Sequence, residues 1–412
     1  MIHPDPSLLD LASDIAAGLD DPATTLTSDA SRHQSRPQSL ANGAAGVALL
    51  HIERALAQPD RWGTAHAWLS AATSVDLHAG PGASLFFGVP ALAFVTHTAA
   101  GDTGRYQRAL TQLDVATERL TRARLAAAHA RIDRGDLPAL AEFDLIRGLT
   151  GLGVHHLRRA PRAEVTSAVL AYLVRLTEPL PGLGDELPGW WTEHGPTGQP
   201  PADYPGGHGN FGMAHGITGP LALLALALRR GVVVDGHRQA IARIFAWLDA
   251  WQHDHPVGPW WPRTITLAEA RAGHCDQPGP LQPSWCYGTP GIARAQQLAA
   301  IATGDTARRR TAERALLGCV NDPGQLARII DPSLCHGAAG LLHTVWRAAG
   351  DAATGEVSAC LPHLARLLVE RLQTASRSVG LLEGSTSAAL ALHTAATGTA
   401  PPSGWDSCML LA

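Results

Sequence analysis

Apolar residues fall into two alternating kinds of stretch along this chain. In segments such as 236–252 (GHRQAIARIFAWLDAWQ) and 358–375 (SACLPHLARLLVERLQTA) they recur three and four apart with Arg on the opposite face, which predicts amphipathic helices. The second kind is apolar on most faces and follows a glycine, so it predicts buried helices. It recurs seven times: NGAAGVALLHIERA at Gly43, FGVPALAFVTHTA at Gly88, RGLTGLGVHHLRRA at Gly148, HGITGPLALLALAL at Gly216, YGTPGIARAQQLAA at Gly288, HGAAGLLHTVWRAA at Gly337 and EGSTSAALALHTAA at Gly384. The glycines are 45, 60, 68, 72, 49 and 47 residues apart, room for one buried and one amphipathic helix each. Two concentric layers follow: an all-α, α/α toroid of seven inner and seven outer helices, in which the GxxG pattern lets inner helices start close to their neighbours. Such an array occupies 1–412 as a single domain, although the length alone would suit two or three.

Insertions interrupt the pattern. The stretch near 100–142 carries a charged helical run, RYQRALTQLDVATERLTRARLAAAHARI. Near 178–210 and 254–284 the chain is rich in Pro, Gly and Trp, which predicts long loops on the face where inner helices begin, with a short hairpin through Trp190, Trp191, Trp260 and Trp261. Long loops in compact domains are often functional, so the site is expected there; Pro-rich padding is the other reading.

Composition narrows the chemistry. With 45% hydrophobic residues the chain can build a large core, and a net charge of −4 without a basic stripe argues against nucleic acid or anionic lipid as a partner. All 32 basic residues are Arg, which excludes lysine Schiff bases and the phosphate-binding P-loop. No apolar run is long enough for a membrane span and the first residues do not read as a signal peptide, so a cytoplasmic location is expected. There the six cysteines are expected to be buried, metal-bound or catalytic, not paired.

Repetition also aligns the reactive residues. Immediately before the leading glycines stand Asn42, Phe87, Arg147, His215, Tyr287, His336 and Glu383, and one position earlier Cys286 and Cys335 occupy the same place in consecutive repeats. Each would sit at the N-terminus of an inner helix, where the dipole favours thiolate. Cys286, Cys335 and His336 can supply three ligands to a tetrahedral Zn²⁺ and leave a fourth position open, as catalytic zinc sites do; buried structural cysteines are the alternative. His215 is a fourth ligand, an acid or base beside the metal, or a helix cap. Asp144 either orients His215 or caps a helix, and Tyr287 offers a hydroxyl or a packed ring.

These residues match a family pattern. AHGITGP, WCYGTPG and CHGAAG, flanked by FDLIRGLTG and GLLEGSTSAALAL, resemble the signature of the LanC family of lanthipeptide cyclases, and the resemblance runs from Gly43 to the C-terminal WDSCMLL. It implies an α/α toroid, an active-site Zn²⁺ on Cys286, Cys335 and His336, and conserved active-site positions at His215, Asp144 and Tyr287. The implied activity joins cysteine thiols of a ribosomally made precursor peptide, leader plus dehydrated core, to dehydroalanine or dehydrobutyrine as thioether rings, in partnership with a dehydratase. With no dehydratase region of its own, the chain resembles the stand-alone cyclases. One departure concerns catalysis: Gln282 stands where the family usually has Arg, so either another cation such as Arg147 or Arg263 substitutes, or catalysis is weaker or differently selective. The last repeat has Ser387, and the second Ala91, in place of the second glycine, which reads as variation in packing. Two other readings stay open. One is a zinc-dependent prenyltransferase-like enzyme, weakened by the absence of Lys; the other is a non-catalytic scaffold that binds the modified peptide, which Gln282 favours.

Overall fold

The computed structural model describes residues 5–27, 36–180, 187–195, 204–374 and 378–412; parts of the 178–210 insertion lie outside them. All seven post-glycine stretches are helices: Ala44–Ala57, Val89–Ala100, Leu149–Arg159, Thr218–Arg229, Thr289–Thr303, Ala338–Gly350 and Ser385–Thr397. Six of them take the leading glycine as N-cap, and only Thr218–Arg229 starts one residue later, on Ile217. In Thr289–Thr303 every residue from Thr289 to Ala300 is buried, as a helix apolar all round requires.

The chain divides into two compact units. The first comprises residues 1–117, 329–408 and 412. It holds four of the inner helices and the amphipathic helices Trp62–Ala72 and Leu361–Leu372. It also contains a helix that periodicity alone did not single out, Pro6–Ala17, which packs on the last inner helix; the Asp5 amide donates to the Ala396 carbonyl at 3.2 Å. The partner of this helix lies nearly the whole chain away, so no local pattern announces the pairing.

The second unit, residues 118–328 and 409–411, holds the other three inner helices, each followed by an amphipathic one: Glu164–Leu176, His237–Ala250 and Thr306–Val320. The charged run folds as one 27-residue helix, Gln107–Asp133. Its second half is fastened to the unit by Thr121 on His156 (2.8 Å), Arg131 on Glu142 (2.7 Å) and Asp133 on Arg175 (2.7 Å).

The expected hairpin takes a different form. Strand His208–Asn210 pairs antiparallel with Thr264–Thr266, so the ribbon joins the two insertions; among the described residues only Trp260 of the four tryptophans is itself paired, in an isolated antiparallel bridge to His253. Trp190 and Trp191 are buried edge-on against Trp247, at 6.0 and 6.5 Å between ring centroids. An indole removes most surface from water by packing into a core, so these rings anchor the ribbon to the His237–Ala250 helix.

The second glycine of GxxG serves a different purpose from the one expected. A β-carbon on Gly46, Gly291 or Gly340 would overlap the carbonyl oxygen of Leu40, Trp285 or Leu334, six residues earlier in the same approach segment. The motif primarily lets each helix fold back against its own entry loop, and contacts to neighbouring side chains such as Leu381 and Met213 are looser.

Candidate active site

The segments leading into the inner helices are laced together through their backbones. In the first unit the Leu40 amide donates to Phe86, Leu382 to Ala41, and Cys335 to Leu382, each at 3.0 Å. In the second unit Leu145 donates to Ala214 at 3.1 Å and Ala214 to Cys286 at 3.3 Å. The position two residues before the leading glycine is therefore a rigid backbone node, and Cys286 and Cys335 both occupy it.

Four residues before each glycine the chain carries Ser39, Ser84, Asp144, Gly212, Ser284, Ser333 and Gly380. Several of these side chains cap the turn that follows. Ser284 Oγ accepts from the Tyr287 amide and Ser333 Oγ from the His336 amide, both at 3.3 Å. Asp144 occupies the same place: its Oδ1 accepts from the Arg147 and Gly148 amides at 2.6 and 2.8 Å. A carboxylate has a second oxygen, and Oδ2 lies 2.6 Å from His215 Nδ1. The two readings of Asp144, helix cap and partner of His215, are both realised, one by each oxygen.

His215 keeps 17% of its side chain exposed, so an imidazole oriented by a buried carboxylate still reaches solvent. Its ring stacks on Tyr287, with centroids 6.1 Å apart. Burial pushes the Tyr287 phenol up to about 12 against opposing pulls from Asn210 and Arg263. Its buried hydroxyl makes no well-formed hydrogen bond among the described residues, so it is a neutral O–H with capacity for a ligand. Gly212 makes this packing feasible, because a β-carbon there would come within 2.7 Å of both the Tyr287 ring and the Cys286 carbonyl. Gln282 is half-buried, with its carbonyl oxygen 2.6 Å from where a β-carbon on Gly288 would stand.

The Cys286 thiol is buried and lies 3.7 Å from Ser284 Oγ. Cys335 and His336 are half-exposed, and His336 Nε2 lies 3.5 Å from Asp331 Oδ2. Asp331 Oδ1 in turn accepts from the Ser333 amide at 2.8 Å. Cys286 stands at a helix entry of the second unit, and Cys335 and His336 are neighbours at a helix entry of the first. Two thiols and an imidazole are a donor set that fits Zn²⁺, with a carboxylate behind the imidazole as metal-bound histidines commonly have.

The sequence from 34 to 410 matches the family described as lanthionine synthetase C-like protein. The chain belongs to that family. Among solved structures it is similar to a nisin cyclase, with a TM-score of 0.80 and 19% identity over 99% of this chain and 98% of that one. The fold of this family member is accordingly the α/α toroid expected from the repeats. No curated protein sequence matches it. Among the described residues no helix is long and apolar enough to cross a membrane.

Two features of this lanthionine synthetase C-like chain escaped the sequence reading. Asp331 was not singled out, although the spacing Asp-x-Ser-x-Cys-His is visible in the sequence. Asn210, whose Oδ1 holds the Gly212 amide at 2.9 Å, sits on the ribbon and had no motif to mark it.

Proposed function

We propose that this protein is a zinc-dependent cyclase that adds cysteine thiols of a precursor peptide to dehydroalanine or dehydrobutyrine, forming lanthionine and methyllanthionine rings. The observation that supports this reading is that a chain of this family carries Cys286, Cys335 and His336 at equivalent helix entries. Zn²⁺ held by these three would leave a coordination position for a substrate cysteine and favour its thiolate, which at an ordinary thiol pKa of about 8.5 is scarce at neutral pH.

The chain's own residues account for the rest. Asp331 stands beside the His336 imidazole at 3.5 Å, and the backbone nodes fix both cysteines. Thiolate addition to the alkene β-carbon leaves negative charge on the carbonyl side, and the α-carbon must then take a proton. His215, held at Nδ1 by Asp144, is the group that delivers it, a role worth about 10²- to 10⁴-fold. Tyr287 presents a neutral hydroxyl beside that imidazole to orient the peptide. A precursor peptide with a leader and a dehydrated core, supplied by a dehydratase in the cytoplasm, is the substrate this chemistry requires.

Zinc content and thiol consumption test the reading together. Wild type is expected to hold one zinc per chain and to consume the free thiol of a synthetic dehydrated peptide with no change in mass. Cys335→Ala should lose both, whereas His215→Ala should keep zinc and react more slowly. Full metal and full activity in Cys335→Ala would sink the ligand assignment, and binding of the peptide without thiol loss in wild type would make the protein a scaffold.

A further inference from the structure

The second unit brings one more charged group to this site. Arg263 immediately precedes the strand Thr264–Thr266, and its guanidinium carbon lies 4.5 Å from the centre of the Tyr287 ring. Its backbone is fixed on both sides: the amide donates to Gln277 Oε1 and the carbonyl accepts from the Phe211 amide, each at 3.1 Å. The side chain is nevertheless exposed, and among the described residues no carboxylate pairs with it. A cation serving only to fasten the ribbon would be expected to engage a carboxylate or a carbonyl. This one lies over an aromatic ring with N–H donors to spare.

The residues form a row: Asp144 holds His215, His215 stacks on Tyr287, and Tyr287 carries Arg263. Its two ends carry opposite charge, with a carboxylate behind the proton donor and a guanidinium at the other end.

We infer that Arg263 is the cation that binds the developing enolate of the addition reaction, an inference that rests on the cyclase reading above. In that step the thiolate lone pair forms the S–Cβ bond and the Cα–Cβ π pair moves onto the carbonyl as an enolate. His215 then transfers a proton to Cα, the carbonyl is restored, and the proton lost from the thiol is thereby returned; no other reactant is needed. The oxygen that becomes negative needs a partner present in the transition state and weakly used in the ground state. Gln282 is neutral and cannot supply the charge, whereas a guanidinium already aligned over Tyr287 can.

The test compares wild type with Arg263→Gln and Arg263→Lys on one dehydrated peptide, reading kcat, KM and zinc content. Arg263→Gln should lower kcat about 10- to 100-fold, at the low end for a lost oxyanion partner because the group is exposed. KM should stay within about twofold and zinc should be unchanged, the expectation for a contact made only in the transition state. Arg263→Lys should recover part of kcat, which a merely structural role would not produce, because both ribbon hydrogen bonds at this position are made by the backbone. An unchanged kcat in Arg263→Gln would overturn the assignment, as would a loss confined to KM. So would a zinc loss or misfolding that Arg263→Lys shares. If wild type itself forms no ring, the cyclase reading fails first and the inference falls with it.

Discussion

The entries to the inner helices at Gly43 and Gly148 use the same device with different atoms. Before Gly43, Ser39 Oγ accepts from the Ala41 and Asn42 amides at 3.1 and 3.3 Å. Before Gly148, Asp144 Oδ1 accepts from the Arg147 and Gly148 amides. Both side chains are buried, and both tie the turn that feeds a helix into the core. The serine's single oxygen is then used as acceptor, whereas the aspartate has a second oxygen, which it turns toward His215. Chemistry was gained here at a position that the fold already required to be an acceptor.

That comparison can be broken at either entry. The largest effect is expected from Asp144→Ala, which removes both functions. Ring formation should fall about 10²-fold or more, as when the carboxylate behind a catalytic histidine is neutralised, and unfolding in urea should show a loss of about 1–2 kcal/mol from the uncapped turn. Asp144→Ser is the sharper version. It should restore most of the stability while leaving activity as low as in Asp144→Ala; recovery of activity would mean that the carboxylate never oriented His215.

A histidine without a carboxylate partner gives the next effect. His208 is fully buried, its ring nitrogens make no hydrogen bond among the described residues, and burial, with help from the Arg263 charge, lowers its pKa to about 4. Above pH 6.5 the group is neutral both folded and unfolded and is neutral in its effect on stability. As pH falls from about 6.5 to about 4 the unfolded chain takes up the proton and the native one does not, so stability should drop by about 3 kcal/mol. Urea titrations of metal-free Cys335→Ala across that range, with and without His208→Phe, should show a flatter curve for the double variant; equal slopes would refute it. The smallest effect is expected from Ser39→Ala, about 1 kcal/mol of stability with activity unchanged.

Much of the site was legible beforehand because it is periodic. Cys286, Cys335, His336 and His215 could be aligned by counting from a glycine, and the structure gives each the helix-entry position that the count implies. Asp144 lay in the same register, but the sequence could not say whether it capped a turn or held His215, since both uses need only an acceptor. Arg263 and Asn210 lie outside the repeats, and their place beside Tyr287 depends on two insertions pairing as a ribbon across more than 50 residues.

The division between what sequence determined and what tertiary structure decided follows from the range of the forces. Helix positions, buried faces and the spacing of cysteines and histidines are set by local periodicity and by the exclusion of a β-carbon at the glycines, which act within a turn or two of chain. Which outer helix covers the last inner one, which strand pairs with His208–Asn210, and which cation stands over Tyr287 are settled by contacts between segments distant in sequence. Those contacts form only when loops close and apolar surface is buried, and no short window of residues encodes them.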